Sequence, residues 1–408
     1  MPTPDRPAST AFEVPEPRPP ALSHAALFVR FLRFGATAFG GPVAQIATIR
    51  RELVEEERWI SGERFNRLLA VMQALPGPEA HELCVHLGIR AKGRVGGVLA
   101  GLGFMLPGLL LMLALAWLYT RASIAGTALG ATFLGVQAAV IAVVVRAVHR
   151  IGEHILLDKV LWLCAVLSAA AAFVGASFLI VLPAAGVFHA LAASGRRFTA
   201  AMVLAFAAAC ALAASTGPTG PRDALAAQTV APGLVALFVV GLKGGLLTFG
   251  GAYTAIPFIR DDTVGRRWLT DAQFLDGLGL AGVLPAPLVI FATFTGWVSG
   301  GLGGALAITA GMFLPAFAFS LLFYERLEAL AEHRRLQLFL AGVAAGVVGL
   351  IALTVIDLAR TTAARAPAPA AAAAIFAAAL VISYRWRSKF AVPLVLAVGA
   401  GCGLLAFT

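Results

Sequence analysis

The chain has 408 residues, of which 60% are apolar and 13% are charged, and its formal net charge is +10. A soluble domain carries roughly a quarter charged residues, so this composition excludes a water-soluble globule and predicts a polytopic membrane protein. The positive charge does not indicate a nucleic-acid partner, because the arginines lie in short loops between apolar runs, as the positive-inside rule describes. Helices satisfy their own backbone hydrogen bonds in lipid, so the predicted fold class is all-α.

The N-terminal segment differs from the rest of the chain. Residues 1–21 contain many prolines and no apolar core, so they predict a disordered cytoplasmic tail and neither a signal peptide nor an anchor. Two homologous repeats are expected over 22–198 and 229–408, joined by a linker helix and loop over 199–228. The four cysteines lie singly in apolar runs, without the spacing of a metal site or a disulfide, so no cofactor is expected.

The repeat is indicated by residues that match in register. FLRFGATAFGGP at 31–42 corresponds to GLKGGLLTFGGA at 241–252, and each run has one cation six residues before its Phe-Gly-Gly. Further matches, at offsets between 207 and 210 residues, are LPGP at 75–78 with LPAP at 284–287, Arg50 with Arg260, Trp59 with Trp268 and Gly135 with Gly342. Chance likeness between apolar helices would not reproduce Trp, Pro and Arg in order, so we interpret the match as a duplication.

The second repeat is predicted to be inverted in the membrane relative to the first. Loop 90–94 (RAKGR) has three cations, whereas its equivalent at 298–304 (VSGGLGG) has none. The next pair reverses, since 120–127 has one cation and 324–335 has three arginines. Cytoplasmic loops are enriched in Lys and Arg, so equivalent loops should lie on opposite sides. The apolar runs predict about 10–13 transmembrane helices, with Gly/Pro-broken or re-entrant segments among them.

Four Gly/Pro motifs are expected to interrupt helices near the membrane midplane. Their candidate substrate-binding residues are Phe39, Gly40 and Gly41, then Pro76, Gly77 and Pro78, then Phe249, Gly250 and Gly251, and finally Pro285 and Pro287. Inverted-repeat transporters place substrate at such discontinuous helices, whose free N–H groups and positive dipole ends bind anions. The alternative is that Gly and Pro are simply frequent in membrane helices.

Arg33 and Lys243 are the candidate cations of the substrate site. A charge in an apolar stretch is costly and usually faces a cavity or a partner. If pseudo-symmetry brings the two FGG breaks together, two cations beside two amide-rich turns would suit a compact dianion. The alternative is that both long side chains reach to the membrane interface.

The stretch after LPGP is polar, and its equivalent in the second half is not. It contains Glu79, His81, Glu82 and His86, whereas residues 288–293 (LVIFAT) are almost wholly apolar. The two histidines lack the spacing of a zinc metallopeptidase motif, so no metal is expected. Glu79, His81 and Glu82 are candidates for proton coupling or gating, with charge balance for the two cations as the alternative role of either glutamate.

These motifs resemble the chromate ion transporter (CHR) family in its long two-domain form. The resemblance rests on FGGPVAQI, RRELVEEERWIS, LPGPEAHEL and GIRAKG in the first half, and on TFGGAYTAIPFI, GRRWLTDAQF and LPAP in the second. It covers nearly the whole chain from about residue 25. It implies a multi-pass bacterial inner-membrane protein whose two oppositely oriented domains export chromate by alternating access. It also implies chromate resistance, the proton gradient as driving force and sulfate as a competing analogue.

Two positions depart from the family pattern. Gln45 stands where the family often has histidine, and Ala286 replaces the glycine of the second PGP-like motif. Gln45 lies beside the FGGP break and is therefore included among the substrate-binding candidates.

Two other functions stay open. One is an uptake permease for sulfate or another oxyanion, with the same architecture and opposite flux. The other is an intramembrane enzyme, but the spans contain no GxSxG, no HExxH and no paired aspartates, and Asp357 is the only clear intramembrane aspartate candidate. The expected partners are a chromate-like or sulfate-like oxyanion, protons and the lipid bilayer, with a homodimer as a candidate assembly.

Overall fold

The structure is a computed structural model that describes residues 17–122, 127–196, 231–324, 333–386 and 388–408. Every regular element in these ranges is a helix, which confirms the predicted all-α class. The predicted linker helix and loop at 199–228 and most of the predicted N-terminal tail lie outside the described residues.

The described part of each half contains seven α-helices. In the first half they are α1 (His24–Ala36), α2 (Gly41–Arg50), α3 (Gly62–Ala74), α4 (Glu79–Arg121), α5 (Ala128–Ile155), α6 (Lys159–Phe173) and α7 (Phe178–Ala193). In the second half they are α8 (Leu234–Leu246), α9 (Ile256–Thr263), α10 (Asp271–Val283), α11 (Phe291–Phe323), α12 (Arg334–Arg365), α13 (Pro369–Arg385) and α14 (Ala391–Phe407). Wider π-type turns continue α2 over Arg51–Glu56, and short 3-10 turns occupy Ala252–Ala255 and Leu288–Ile290. The helices correspond one to one in chain order, as a duplication predicts.

Local sequence signals set several of the helix ends. Ser23 and Ser61 cap α1 and α3 by accepting hydrogen bonds from backbone N–H groups of the first turn. Thr270 and Gln273 form a capping box at the start of α10. Helix α3 stops at Ala74 because the residue before a proline avoids helical angles, and the residue that follows Ala74 is extended. The elements that flank the breaks are therefore specified locally.

Helices α4 and α11 each bend back at a glycine. Gly93 in α4 and Gly301 in α11 both have a φ of 62°, which glycine adopts without a steric penalty. The two arms of α4 then lie side by side, because a Cβ atom on Gly88 would be 2.5 Å from the carbonyl oxygen of Gly96. Gly296 makes the same approach to the second arm of α11. Both bends fall inside the loops that the sequence predicts there.

Among the described residues, four helical segments are long and apolar enough to cross a membrane. They are α4, α5, α12 and the stretch Leu288–Phe323 that contains α11. Five shorter apolar helices accompany them: α6, α7, α8, α13 and α14. Their outer faces carry large apolar side chains, such as Leu405 (85% exposed) and Phe173 (70% exposed). Such faces suit lipid rather than water, so the protein is a multi-pass membrane protein.

The two halves interlock through their last three helices. Helix α5 packs against α13 and α14 of the other half, and α12 packs against α6 and α7. Small residues make both contacts close: a Cβ atom on Gly399 would lie 2.6 Å from that of Ala139, and one on Gly342 would lie 2.9 Å from the Cα of Gly186. Helices in lipid associate mainly through such close packing of small residues. Equivalent helices therefore make equivalent contacts twice.

The second arms of α4 and α11 pack against each other across the interface between the halves. Gly101, near the start of the α4 arm, contacts Phe317, near the end of the α11 arm. At the other end of α4, Thr120 accepts a hydrogen bond from the Trp297 indole at 3.2 Å, and Trp297 lies just before the bend of α11. The second arm of α4 is therefore held against both arms of α11 across the two halves.

Candidate functional site

Both FGG motifs interrupt the helical path, as the sequence predicts. Gly40 and Gly41 have φ values of 91° and 76°, and Gly250 and Gly251 have φ values of 73° and 124°. Side chains strongly disfavour these angles. Pro42 follows in the first turn of α2, where its missing N–H is not needed. Each motif thus ends one helix and immediately starts another.

Each FGG break meets the proline break of the other half. The Gly77 N–H donates a hydrogen bond to the carbonyl oxygen of Thr248 at 2.8 Å. The Gln45 side-chain amide donates to the carbonyl oxygens of Ala286 at 3.0 Å and Ala38 at 2.9 Å. Four segments that are far apart in sequence therefore form one junction between the halves, which we call the break junction.

The other predicted break residues surround the same junction. Phe39 packs against Phe390, with ring centroids 5.7 Å apart, and Phe249 is buried in the main core. Pro78 is the N-cap of α4, so the first turn of that helix begins directly at the break. Pro76 lies in the LPGP break itself, and Pro285 and Pro287 flank Ala286, whose carbonyl accepts the bond from Gln45.

Arg33 and Lys243 occupy equivalent places, and each is paired with a carboxylate. Arg33 lies 3.8 Å from Glu52, and its side chain is 73% exposed. The Lys243 ammonium lies 2.7 Å from the Asp262 carboxylate and 4.3 Å from the centre of the Phe178 ring. Glu52 and Asp262 are themselves 210 residues apart, so the whole ion pair is repeated. Sequence reasoning identified the cations but not these partners.

The polar start of α4 is buried beside the break junction. Glu79, His81, Glu82 and His86 are all buried, and Glu79, at 7%, is the most exposed of the four. The Glu82 carboxylate lies against Gly77, where a Cβ atom would clash with Glu82 Oε1, and neither of its oxygens has a hydrogen-bond partner among the described residues. Across the ranges that the structure describes, no group of three or more His, Cys, Asp or Glu side chains could hold a metal ion.

His81 in this stretch bridges the two halves by ring packing. The His81 ring lies 5.0 Å from the ring of Phe313 and 4.7 Å from that of Phe317, both on α11. The Ser320 hydroxyl, one turn further along α11, lies 3.5 Å from the Glu82 carbonyl oxygen. The start of α4 therefore packs against α11, which is its equivalent in the second half.

Sequence reasoning missed a buried aspartate. Asp276 on α10 is 3% exposed and accepts hydrogen bonds from the Tyr119 hydroxyl at 2.7 Å and the Gln137 amide at 2.8 Å. Both donors belong to the first half, so this carboxylate joins the two halves. The sequence analysis singled out Asp357, which is 41% exposed and lies 3.9 Å from Arg260. The overlooked signal was a single acidic residue inside the apolar run that leads to LPAP.

The chain also resembles known proteins along nearly its full length. A family described as chromate transporter matches residues 25–217 and 235–404, one match in each half. A chromate transport protein of Pseudomonas aeruginosa is 60% identical over 98% of this chain and 97% of its own length. A chromate transport protein of Cupriavidus metallidurans is 31% identical over 93% and 92%, respectively. A probable chromate transport protein of Synechococcus elongatus is 29% identical over 95% and 96%.

No solved structure matches the chain. The two family matches fall on the two halves that correspond helix by helix, and they include all four segments of the break junction. The relatives are named as transporters rather than enzymes. Sequence likeness, duplicated helices and a junction of broken segments agree, and the chain belongs to the chromate transporter family.

Proposed function

We propose that this protein is a secondary transporter that exports chromate across the bacterial inner membrane, with sulfate as a competing analogue. The names of its full-length relatives support the substrate. The observation that carries the transport mechanism is the break junction, in which Gly77 bonds to Thr248 and Gln45 bonds to Ala286 across the two halves. Transporters bind substrate where discontinuous helices of two repeats meet.

The two halves have opposite orientations in this proposal, and they rock against each other to give alternating access. The basic loop at 90–94 and its neutral equivalent at 298–304 support this orientation, because cytoplasmic loops are enriched in Lys and Arg. The reciprocal contacts of α5 with α14 and of α12 with α7 support a symmetric exchange between two arrangements. A motion of one half against the other would break the Gly77–Thr248 and Gln45–Ala286 hydrogen bonds in turn.

The substrate oxyanion is bound at the break junction in this proposal. Backbone N–H groups beside Gly40, Gly41, Gly250 and Gly251 would donate hydrogen bonds to it, as amide-rich turns do for other oxyanions. Arg33 and Lys243 would contribute positive charge, each in exchange with the carboxylate that it contacts in the structure. Export would be coupled to proton entry through the buried carboxyl groups at the start of α4.

The test is radiolabelled chromate uptake into everted inner-membrane vesicles that contain the protein. We expect saturable uptake that depends on an imposed proton gradient and is inhibited by excess sulfate. Vesicles from cells that lack the protein are the control. Equal uptake in both preparations would overturn the proposal, and uptake only in right-side-out vesicles would instead establish an oxyanion uptake permease.

A further inference from the structure

Asp276 on α10 is a buried carboxyl group that no cation compensates by contact. It is 3% exposed, and its two hydrogen-bond donors, the Tyr119 hydroxyl and the Gln137 amide, are both neutral. Among the described residues it forms no ion pair, whereas Asp262, which is also buried, lies 2.7 Å from the Lys243 ammonium. A buried carboxylate without a cation is costly, and a bound proton removes the charge.

Few charged or titratable groups lie around Asp276. Helices α11 and α14, and the short turn before α11, pack against α10 and contain no charged residue. From α12, the cation that acts on Asp276 through space is Arg365, which is exposed at the end of that helix. From α4 the titratable group is Tyr119 itself, and on α5 the charged residue nearest in the chain to the amide donor is Arg146, more than two turns away. Asp271, at the start of α10, is in an ion pair of its own.

The cluster lies on the contact between the two halves. Tyr119 and Gln137 belong to the first half, and Asp276 belongs to the second. The Tyr119 ring is held between Phe133 of its own half, at 5.5 Å between ring centroids, and Phe294 of the other half, at 4.8 Å. A movement of one half against the other would therefore separate the Asp276 carboxyl from its donors.

Both protonation states of Asp276 can be satisfied inside this cluster. The carboxylate accepts two hydrogen bonds, as the structure describes. The Gln137 Oε1 atom is buried and has no hydrogen-bond partner among the described residues. If the amide turns over, Oε1 takes the place of Nε2, 2.8 Å from Asp276 Oδ1, and can accept from a carboxylic O–H. Because the two donors favour the charged form, their departure favours the protonated one.

The cluster gives the second half a titratable group that the first half lacks at the same place. Helix α10 leads directly into the LPAP break at 284–287, and Asp276 lies eight residues before it, about 12 Å along the helix. At the offsets that relate the two halves here, the equivalent of Asp276 is Arg67 and that of Gln137 is Ala344. The duplication therefore does not repeat the cluster, as it would a contact that served packing in both repeats.

We propose that the Asp276 carboxyl is a second proton-binding site of the transport cycle, beside the carboxyl groups at the start of α4. Tyr119 and Gln137 are the positioning residues that set its protonation. This inference rests on the proposed function. In the arrangement that the structure describes, the two donors hold Asp276 as a carboxylate. When the halves move, the carboxylate loses them and binds one proton from the water on the side that has opened. When the donors return, they displace this proton to the other side.

The experiment measures chromate counterflow at a series of pH values in proteoliposomes, together with the proton movement that a chromate gradient drives. Asp276→Asn keeps the shape of the side chain but cannot release a proton. It should lower the chromate-driven proton movement several-fold while counterflow persists, and Asp276→Glu should recover part of the loss. Asp357→Asn, at a side chain that is 41% exposed on α12, is the matched control and should stay at the wild-type values.

The positioning role is tested separately with Tyr119→Phe. This variant keeps the ring but removes a donor that stabilises the carboxylate, so Asp276 should bind its proton at higher pH. The pH midpoint of counterflow should therefore rise by about one unit or more. Thermal unfolding of each variant in detergent identifies those that misfold.

The outcomes separate this inference from the proposed function. Unchanged proton movement in folded Asp276→Asn, with active wild-type protein, would overturn the inference and leave the proposed function intact. If Asp276→Asn does not fold, Tyr119→Phe decides: lower stability with a wild-type pH midpoint would assign the cluster to packing and would also overturn the inference. Absence of chromate transport by the wild-type protein would overturn the proposed function itself, and transport without proton movement would overturn its proton coupling.

Discussion

At the scale of single residues, the charges near the break junction occur in local pairs. The Lys243–Asp262 pair is close and largely shielded, with side chains 23% and 7% exposed, whereas Arg33 is mostly exposed beside Glu52. A partly buried ion pair is strongly perturbed when one partner is removed, because the other charge is left without compensation. A substrate dianion that uses Lys243 must therefore compete with Asp262.

This competition makes Lys243 and Asp262 separable by mutation. If Lys243 binds the oxyanion, Lys243→Ala should raise the half-saturation concentration roughly thirtyfold, which corresponds to about 2 kcal/mol. Asp262→Asn should leave it unchanged or lower it, because the ammonium is released. The measurement is chromate uptake normalised to folded protein in the membrane. If both variants instead fold poorly and the double variant recovers, the pair is structural and Lys243 is not a substrate ligand.

Glu82 is the carboxyl group best placed to respond to the junction. It is fully buried, and it lies against Gly77. The Gly77 N–H donates a hydrogen bond to Thr248 of the other half. If its protonation couples transport, Glu82→Gln should abolish the dependence of uptake on the proton gradient while chromate exchange at equilibrium persists. Glu63→Gln, at an exposed site on α3, is the control. A gradient dependence that survives in Glu82→Gln would remove this residue from the coupling mechanism.

At the scale of helices, glycines hold the two halves together by allowing close contact. Gly399 on α14 faces Ala139 and Gly135 of α5, whereas a Cβ atom on Gly401 of the same helix would have no atom within 4 Å. The two positions therefore have the same intrinsic helix propensity, because both are glycines inside α14, but they differ in how closely other helices pack against them.

Substitution of these two glycines should have different consequences. Gly399→Leu should lower stability by about 1–3 kcal/mol, the usual cost of overpacking a close interface, and should lower transport with it. Gly401→Leu should leave both near the wild-type values. The measurement is thermal unfolding of purified protein in detergent, beside chromate uptake. Equal effects of the two variants would mean that the α5–α14 contact does not hold the halves together.

At the scale of the whole molecule, the inverted arrangement of the halves remains a prediction that the membrane can test. Lys92 and Gly303 are exposed residues at the two bends, in α4 and in the second arm of α11. In a variant without the native cysteines, Lys92→Cys should react with a membrane-impermeant thiol reagent from the cytoplasmic side. Gly303→Cys should react from the opposite side. Labelling of both cysteines from one side would indicate a parallel duplication.

The amino-acid sequence by itself determined the membrane class, the duplication and the places where helices break. These features depend on composition and on short-range preferences: apolar runs, glycines with positive φ, and prolines that end a helix one residue before them. The family resemblance lies in the same local motifs, and the family match confirms it. The linker and the domain boundaries stay predictions.

Only the tertiary structure decided which broken segments meet and which charges are paired. Gln45 and Ala286 are 241 positions apart, and Tyr119 and Asp276 are 157 apart, so no local preference specifies either contact. They depend on how the helices of one half pack against those of the other, which follows from side-chain volume and backbone approach over the whole interface. For the same reason, the sequence pointed to Arg33 and Lys243 as site cations, while only the fold shows that each is paired with a carboxylate, Glu52 and Asp262 respectively.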